Sequence, residues 1–192
     1  MPAITTQPAT PARWDDVQHA LTGGGDGRSC QCAWLTLTNA EFNATSADER
    51  RALLHDEVHA SPPPGLIAYV DGEAAGWVRV GPRVTQRRLA RTRTIAAGTH
   101  EPLDDESVWA ITCFVVRKEH RGLGLNAELL TSAIALAQSA GARVIEAYPI
   151  DTSQGQVRSN DLFHGALSTF LAAGFTPVAE PKPGRPIVTL EF

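Results

Sequence analysis

Cysteine is scarce in this sequence of 192 residues, and three thiols cannot close a paired set of disulfides. Cys30 and Cys32 stand in a C-x-C spacing but lack the second ligand pair that a structural zinc site requires, so no metal is expected. Long apolar runs are missing as well. The stretch nearest to a membrane span, Leu129 to Ala142, is short and is interrupted by Thr131, Ser132, Gln138 and Ser139, which argues against a membrane partner. Nor is there an excess of positive charge. Seventeen Lys and Arg against 21 Asp and Glu give a formal charge of -4, a field that does not favour nucleic acid. Met1 to Ala12 contains no basic residue and no continuous apolar run; it reads as a flexible arm rather than a signal peptide or anchor. The whole chain is 43% hydrophobic and 20% charged, a composition that suits one packed domain, read over residues 13–192, and the thiol usage suits a cytoplasmic location.

Along the chain, a short helix is expected from Trp14 to Leu21, ended by the cluster Gly23, Gly24, Gly25 and Gly27. Ser46-Ala47-Asp48-Glu49 matches a capping box and opens a helix to about His59, which Pro62, Pro63 and Pro64 stop. Leu66–Val70 and Ala74–Val80 flank Asp71-Gly72, a pair that accepts positive φ and so predicts an antiparallel hairpin. After a polar, arginine-rich stretch from Arg83 to Pro102, Ser107–Val116 is a nearly continuous apolar run and predicts a central strand buried on both faces. A helix follows Gly124 and runs to Ala140, with Leu130, Ala133, Ile134 and Ala137 on one face, and Arg143–Ile150 predicts the next strand. Together these form a βαβ unit with a right-handed crossover. A helix from Ser159 to Ala173 and a closing strand pair near Thr176–Ala179 and Ile187–Phe192 complete a mixed α/β layer.

The turn Arg121-Gly122-Leu123-Gly124-Leu125 delivers unpaired backbone N–H groups to the positive end of a helix, which suits a phosphate, with charge from Arg117, Lys118 and Arg121. It is neither a P-loop nor a dinucleotide fingerprint, because the required glycines are missing. The run CFVVRKEHRGLGLNAELL resembles the acetyl-CoA signature R/Q-x-x-G-x-G/A of the GNAT superfamily of N-acetyltransferases, with Arg121, Gly124 and Asn126 at its defined positions. Asn126 departs from the usual Gly or Ala. The resemblance implies a mostly antiparallel sheet of about seven strands flanked by helices, splayed at the acetyl-CoA site between Ser107–Val116 and Arg143–Ile150. It implies a cofactor site of Phe114, Val115 and Val116 with Arg121, Gly122, Leu123, Gly124, Leu125 and Asn126, in which backbone N–H groups near Val115 polarise the thioester. It further implies transfer of an acetyl group from acetyl-CoA to a primary amine of a small molecule or peptide, by direct attack in a ternary complex.

Deprotonating such an amine needs a proton acceptor. Glu146 and Tyr148 share one face of a strand at roughly 6.5 Å, and a carboxylate there is anomalous unless it is paired or functional. One reading makes Glu146 the base and Tyr148 the acid or a substrate-orienting group. The other pairs Glu146 with Arg79 or Arg158. Many GNAT enzymes carry a tyrosine four residues before the Gly-Phe exit of the late helix; here Phe170 stands there, so the acid would be Tyr148, His164, Ser168 or solvent. Cys113 reads as a packing residue, and Cys30 and Cys32 with His55 and His59 as a weak metal alternative. Six arginines from Arg79 to Arg93 could meet the coenzyme 3′-phosphate, an acidic substrate or an acidic partner. Otherwise they form a solvated loop balanced by Glu101, Asp104, Asp105 and Glu106, acids that would favour a cationic acceptor if they line its site. Rival functions are a non-catalytic acyl-CoA-binding or regulatory module and a DNA-binding or partner-docking protein that uses the arginines. Exposed tryptophans would permit a homodimer.

Overall fold

The computed structural model describes residues 2–23, 25–155 and 159–192. Its organising local event is the Asp71-Gly72 turn, where φ of 50° and 88° matches the right-handed twist of the flanking strands β2 (Gly65–Val70) and β3 (Glu73–Pro82). The start of the chain adds an edge strand, β1 (Ile4–Pro8), antiparallel to β2 with Ile4 opposite Val70. The expected flexible arm is therefore corrected over these residues: its exposed side chains alternate, and its main chain completes the ladder.

Four helices follow β1: α1 (Trp14–Leu21), α2 (Gly27–Cys30), α3 (Asn39–Ala44) and α4 (Ala47–Glu57). The capping box of α4 forms as expected, with Glu49 accepting from the Ser46 N–H at 2.7 Å and Ser46 Oγ accepting from the Glu49 N–H at 3.2 Å. Thr38 and Glu41 make the same box at α3. The arginine-rich stretch is no solvated loop. After a 3-10 turn it forms α5 (Arg87–Arg91) and α6 (Arg93–Gly98).

Next come β4 (Val108–Val116), α7 (Leu125–Ser139) and β5 (Val144–Ala147), with β5 parallel to β4. Then α8 (Leu167–Ala172), β6 (Thr176–Lys182) and β7 (Arg185–Glu191) close the chain. The seven strands lie in the order β1-β2-β3-β4-β5-β7-β6, all antiparallel neighbours except β4 and β5. The fold is thus the expected mixed sheet flanked by helices. One face packs Leu125, Leu129, Leu130, Ala133 and Ala137 of α7 against the sheet; the other buries Trp77 with Val17, Leu21, Leu54 and Val58 from the early helices. Both faces of the central strands are therefore largely covered, which explains the nearly continuous apolar run of β4, interrupted by Thr112.

Candidate active site

Strands β4 and β5 pair only from Val108 to Ile111 against Val144 to Ala147. Past that point Val80 faces Ile111 while Arg79 faces Cys113, so Thr112 is the extra residue of a bulge. Its Oγ1 donates to Gln86 Oε1, and Gln86 Nε2 donates to the Ala110 carbonyl at 3.2 Å, which fixes the distortion from inside the protein. On the far side, Ile150 meets Ala166 in an isolated parallel bridge, so the chain after β5 has turned toward α8. A notch opens between the two strands. The Arg117 N–H bonds the Ala75 carbonyl at 3.0 Å. By the alternation of an antiparallel ladder, the N–H of Val115 then faces β3, and those of Phe114 and Val116 face the notch.

The turn beyond β4 holds Gly122 and Gly124 at φ of 81° and 80°, the left-handed region that side chains disfavour. Gly124 caps α7, and the N–H groups of residues 122–126 donate to no acceptor among the described residues. Five successive free donors at the start of a 15-residue helix form a cradle for an anion. Arg121 beside them is exposed and has no carboxylate partner among the described residues. Arg117 is not available as expected: it is engaged with Glu119, with Glu73 at 3.6 Å and with His19. Asn126 lines the same cleft, and its Oδ1 is buried without a partner among the described residues.

The cleft encloses about 950 Å³ between Thr112–Val116, the glycine turn and the 3-10 segment Ser159–His164. A second cavity of about 650 Å³ adjoins it, the two sharing Trp34, Leu35, His164 and Arg185. His164 therefore sits where they meet. Its Nδ1 is buried with no partner among the described residues, and burial followed by the nearby Arg185 charge pushes its imidazolium down to about 4. Tyr148 lines the second cavity but donates its hydroxyl to Glu146 at 2.5 Å. Burial, then the Glu146 carboxylate, raises that phenol well above its ordinary range, so it holds its proton tightly. Glu146 itself is fully buried and in neither cavity wall. It accepts from Arg83 at 3.0 Å and Thr99 at 2.6 Å as well as from Tyr148. Its arginine is thus Arg83; Arg79 pairs with Glu57 instead, and Arg158 lies outside the described residues.

The sequence matches the model of the acetyltransferase (GNAT) family over residues 32–165, well over half of the chain. The chain belongs to the GNAT acetyltransferase family. No curated protein sequence matches it. Among solved structures, a GNAT-family acetyltransferase from Streptococcus pneumoniae is 15% identical with a TM-score of 0.54, covering 99% of this chain and 100% of that one. YncA from Salmonella typhimurium with its cofactor acetyl-CoA is 17% identical, TM-score 0.54, covering 98% of this chain and 94% of that one. PaiA N-acetyltransferase from Thermoplasma acidophilum in complex with coenzyme A is 11% identical, TM-score 0.55, covering 99% of each. At these identities the likeness is one of fold, while the family match makes the chain an acyltransferase.

As a GNAT member the chain departs from the expected late helix. Gly165, at φ 81°, splits it into the 3-10 segment and α8, so His164 is not on the helix that carries Phe170. A Cβ on Gly165 would lie 2.8 Å from Phe170, whose ring is fully buried against Phe114 and Phe175. The cysteines all line the cleft. Cys32 and Cys113 share an S–H···S hydrogen bond of 3.1 Å, and that bond together with burial holds the Cys113 thiol well above the ordinary range. Cys30 and Cys32 are not within ligating distance of His55 and His59; the group of three that is, among the described residues, is Glu73, Glu119 and His120 at the surface. No helix of the described residues is long and apolar enough to cross a membrane. Sequence reasoning did not find Trp34, Leu35 or Arg185 as cavity residues, since no motif marks side chains that converge from three separate segments.

Proposed function

We propose that this GNAT member transfers an acetyl group from acetyl-CoA to a primary amine that attacks directly in a ternary complex. The five N–H donors of residues 122–126, free among the described residues, carry the reading: they fit a diphosphate, and Arg121, with no carboxylate partner among the described residues, adds charge. The unpaired edge of β4 offers the N–H groups of Phe114 and Val116 to an extended pantetheine and to the thioester carbonyl. Acetyl-CoA when bound supplies the activated acyl group. Net chemistry forms a nitrogen–carbon bond as the carbon–sulfur bond breaks with its electron pair on sulfur, and a proton from nitrogen ends on the thiol.

His164 is the group placed to touch the acceptor. With its imidazolium at about 4 it is neutral at physiological pH, so Nε2, which is not the buried ring nitrogen, accepts a hydrogen bond from the amine and aims its lone pair, while solvent takes the ammonium proton. We assign Glu146, satisfied by three donors away from both cavities, to bracing the sheet, and Tyr148 to orienting the cavity wall through that carboxylate. Thiol release from acetyl-CoA in the presence of an amine panel tests the activity. His164→Ala should lower kcat/KM by roughly 10- to 100-fold with acetyl-CoA affinity retained. An unchanged kcat/KM would remove His164 from the acceptor's path.

A further inference from the structure

The second cavity is charged in one sense. Arg88, Arg91, Lys182 and Arg185 line it, and no carboxylate among the described residues does. The acids that sequence reasoning set beside this region are elsewhere: Glu101 and Asp105 pair with Arg143. Arg185 is 3.5 Å from Asp161, whereas Arg91 and Lys182 have no ion pair or side-chain hydrogen bond among the described residues. Arg88 is held in place. Its Nε donates to the Leu37 carbonyl at 3.0 Å and its guanidinium lies 3.7 Å over the Trp34 ring, yet its Nη2 is buried with no acceptor among the described residues. Cations gathered around a concave site, one of them fixed and short of a partner, are an arrangement that an anion completes.

Building on the acyltransferase reading of the cleft, we propose that this cavity is the acceptor site and that the acceptor is a small primary amine bearing an anionic oxygen group, a carboxylate or phosphonate. The anion seats against Arg88, Arg91 and Lys182, and the amine points to His164, where the cavity meets the cleft. The same charges serve a second purpose. Three cations against one carboxylate leave the cavity net positive, which disfavours the ammonium form of the bound amine and raises the share that carries a lone pair. The site therefore promotes deprotonation without a strong base, in keeping with the absence of a carboxylate from its described wall. For the same reason a diamine is a poor acceptor.

The test compares kcat/KM for L-glutamate, 3-aminopropylphosphonate, n-butylamine and 1,4-diaminobutane by thiol release, alongside calorimetric titration of acetyl-CoA. Where turnover is too slow, calorimetric binding of the same amines to the coenzyme A complex replaces it. The anionic acceptors should exceed the neutral amine and the diamine by about tenfold or more, and their relative order tells carboxylate from phosphonate. In the Arg91→Gln/Lys182→Gln double variant, KM for the preferred anionic acceptor should rise about tenfold or more while acetyl-CoA affinity is unchanged. Equal or better use of butylamine or the diamine, equal binding of all four, or an unmoved KM in the double variant overturns the inference while leaving the acyltransferase reading intact. Absence of heat with acetyl-CoA overturns that reading, and the inference falls with it.

Discussion

Arg83 and Glu146 are 2% and 0% exposed, and neither has solvent to replace its partner. Arg83 also donates to Thr99 at 2.9 Å and to the carbonyls of Glu101 and Pro102, so one guanidinium ties the turn after β3, the chain after α6 and β5 together. Removing one charge alone should be costly: Arg83→Met or Glu146→Gln is expected to lose about 3–5 kcal/mol in urea unfolding. Arg83→Met/Glu146→Leu should lose less than the sum of its single changes, because no orphaned charge remains. Near-native stability of Glu146→Gln with turnover abolished would instead restore the catalytic role considered from sequence. Glu146 was conspicuous in an apolar strand, but its partner was not legible, since Arg83 reaches it only through a turn that no local pattern specifies. His164 gives a second test. Unfolded, it takes up a proton near 6.5; folded, only near 4. Between those values the unfolded chain binds the extra proton, so stability falls as pH drops from about 6.5 to about 4. NMR should place the His164 midpoint near 4, and the melting temperature of His164→Gln should fall less steeply over that window. A midpoint near 6.5 would contradict the burial argument.

Elements were readable where the local signal was chemical. Asp71-Gly72 fixed its hairpin through positive φ, and Ser46 with Glu49 fixed the start of α4 through reciprocal bonds. Ser46→Ala should cost about 1 kcal/mol, a fall in melting temperature of about 2–4 °C for a chain of this size. No change by calorimetry would show the cap to be redundant. The same signature at Thr38 and Glu41 was present in the sequence and opens α3. Strand β1 was not legible because Thr5, Thr6, Gln7 and Pro8 offer little apolar patterning; its register comes from pairing with β2. Helices α5 and α6 are too short for periodicity to show, and the arginines between Arg79 and Arg93 hid how many point inward. Gly165 illustrates the converse, a single residue that divides an apparently continuous helical pattern. Gly165→Ala combines about 1–2 kcal/mol of left-handed strain with the approach to Phe170, and should lower the melting temperature more than Ser46→Ala does. The opposite order would place the strain elsewhere.

At the scale of the whole molecule, the glycine turn and the seven-stranded plan could be anticipated because backbone conformation alone carries them. The second cavity could not, since Trp34, Arg88, His164 and Lys182 come from distant parts of the chain and meet only once the sheet has closed. What unites the account is that β4 ends on an unpaired edge and a row of free N–H donors that together suit a coenzyme. Replacing Gly122 and Gly124 with alanine forces side chains into the left-handed region and should withdraw those donors while the sheet stays folded. The most direct measurement is calorimetric titration of acetyl-CoA into the wild-type chain and into Gly122→Ala/Gly124→Ala. Acetyl-CoA should bind the wild type one-to-one and lose about tenfold or more in affinity in the variant; no heat with the wild type, or equal affinity in both, would mean that the glycine turn does not hold the coenzyme.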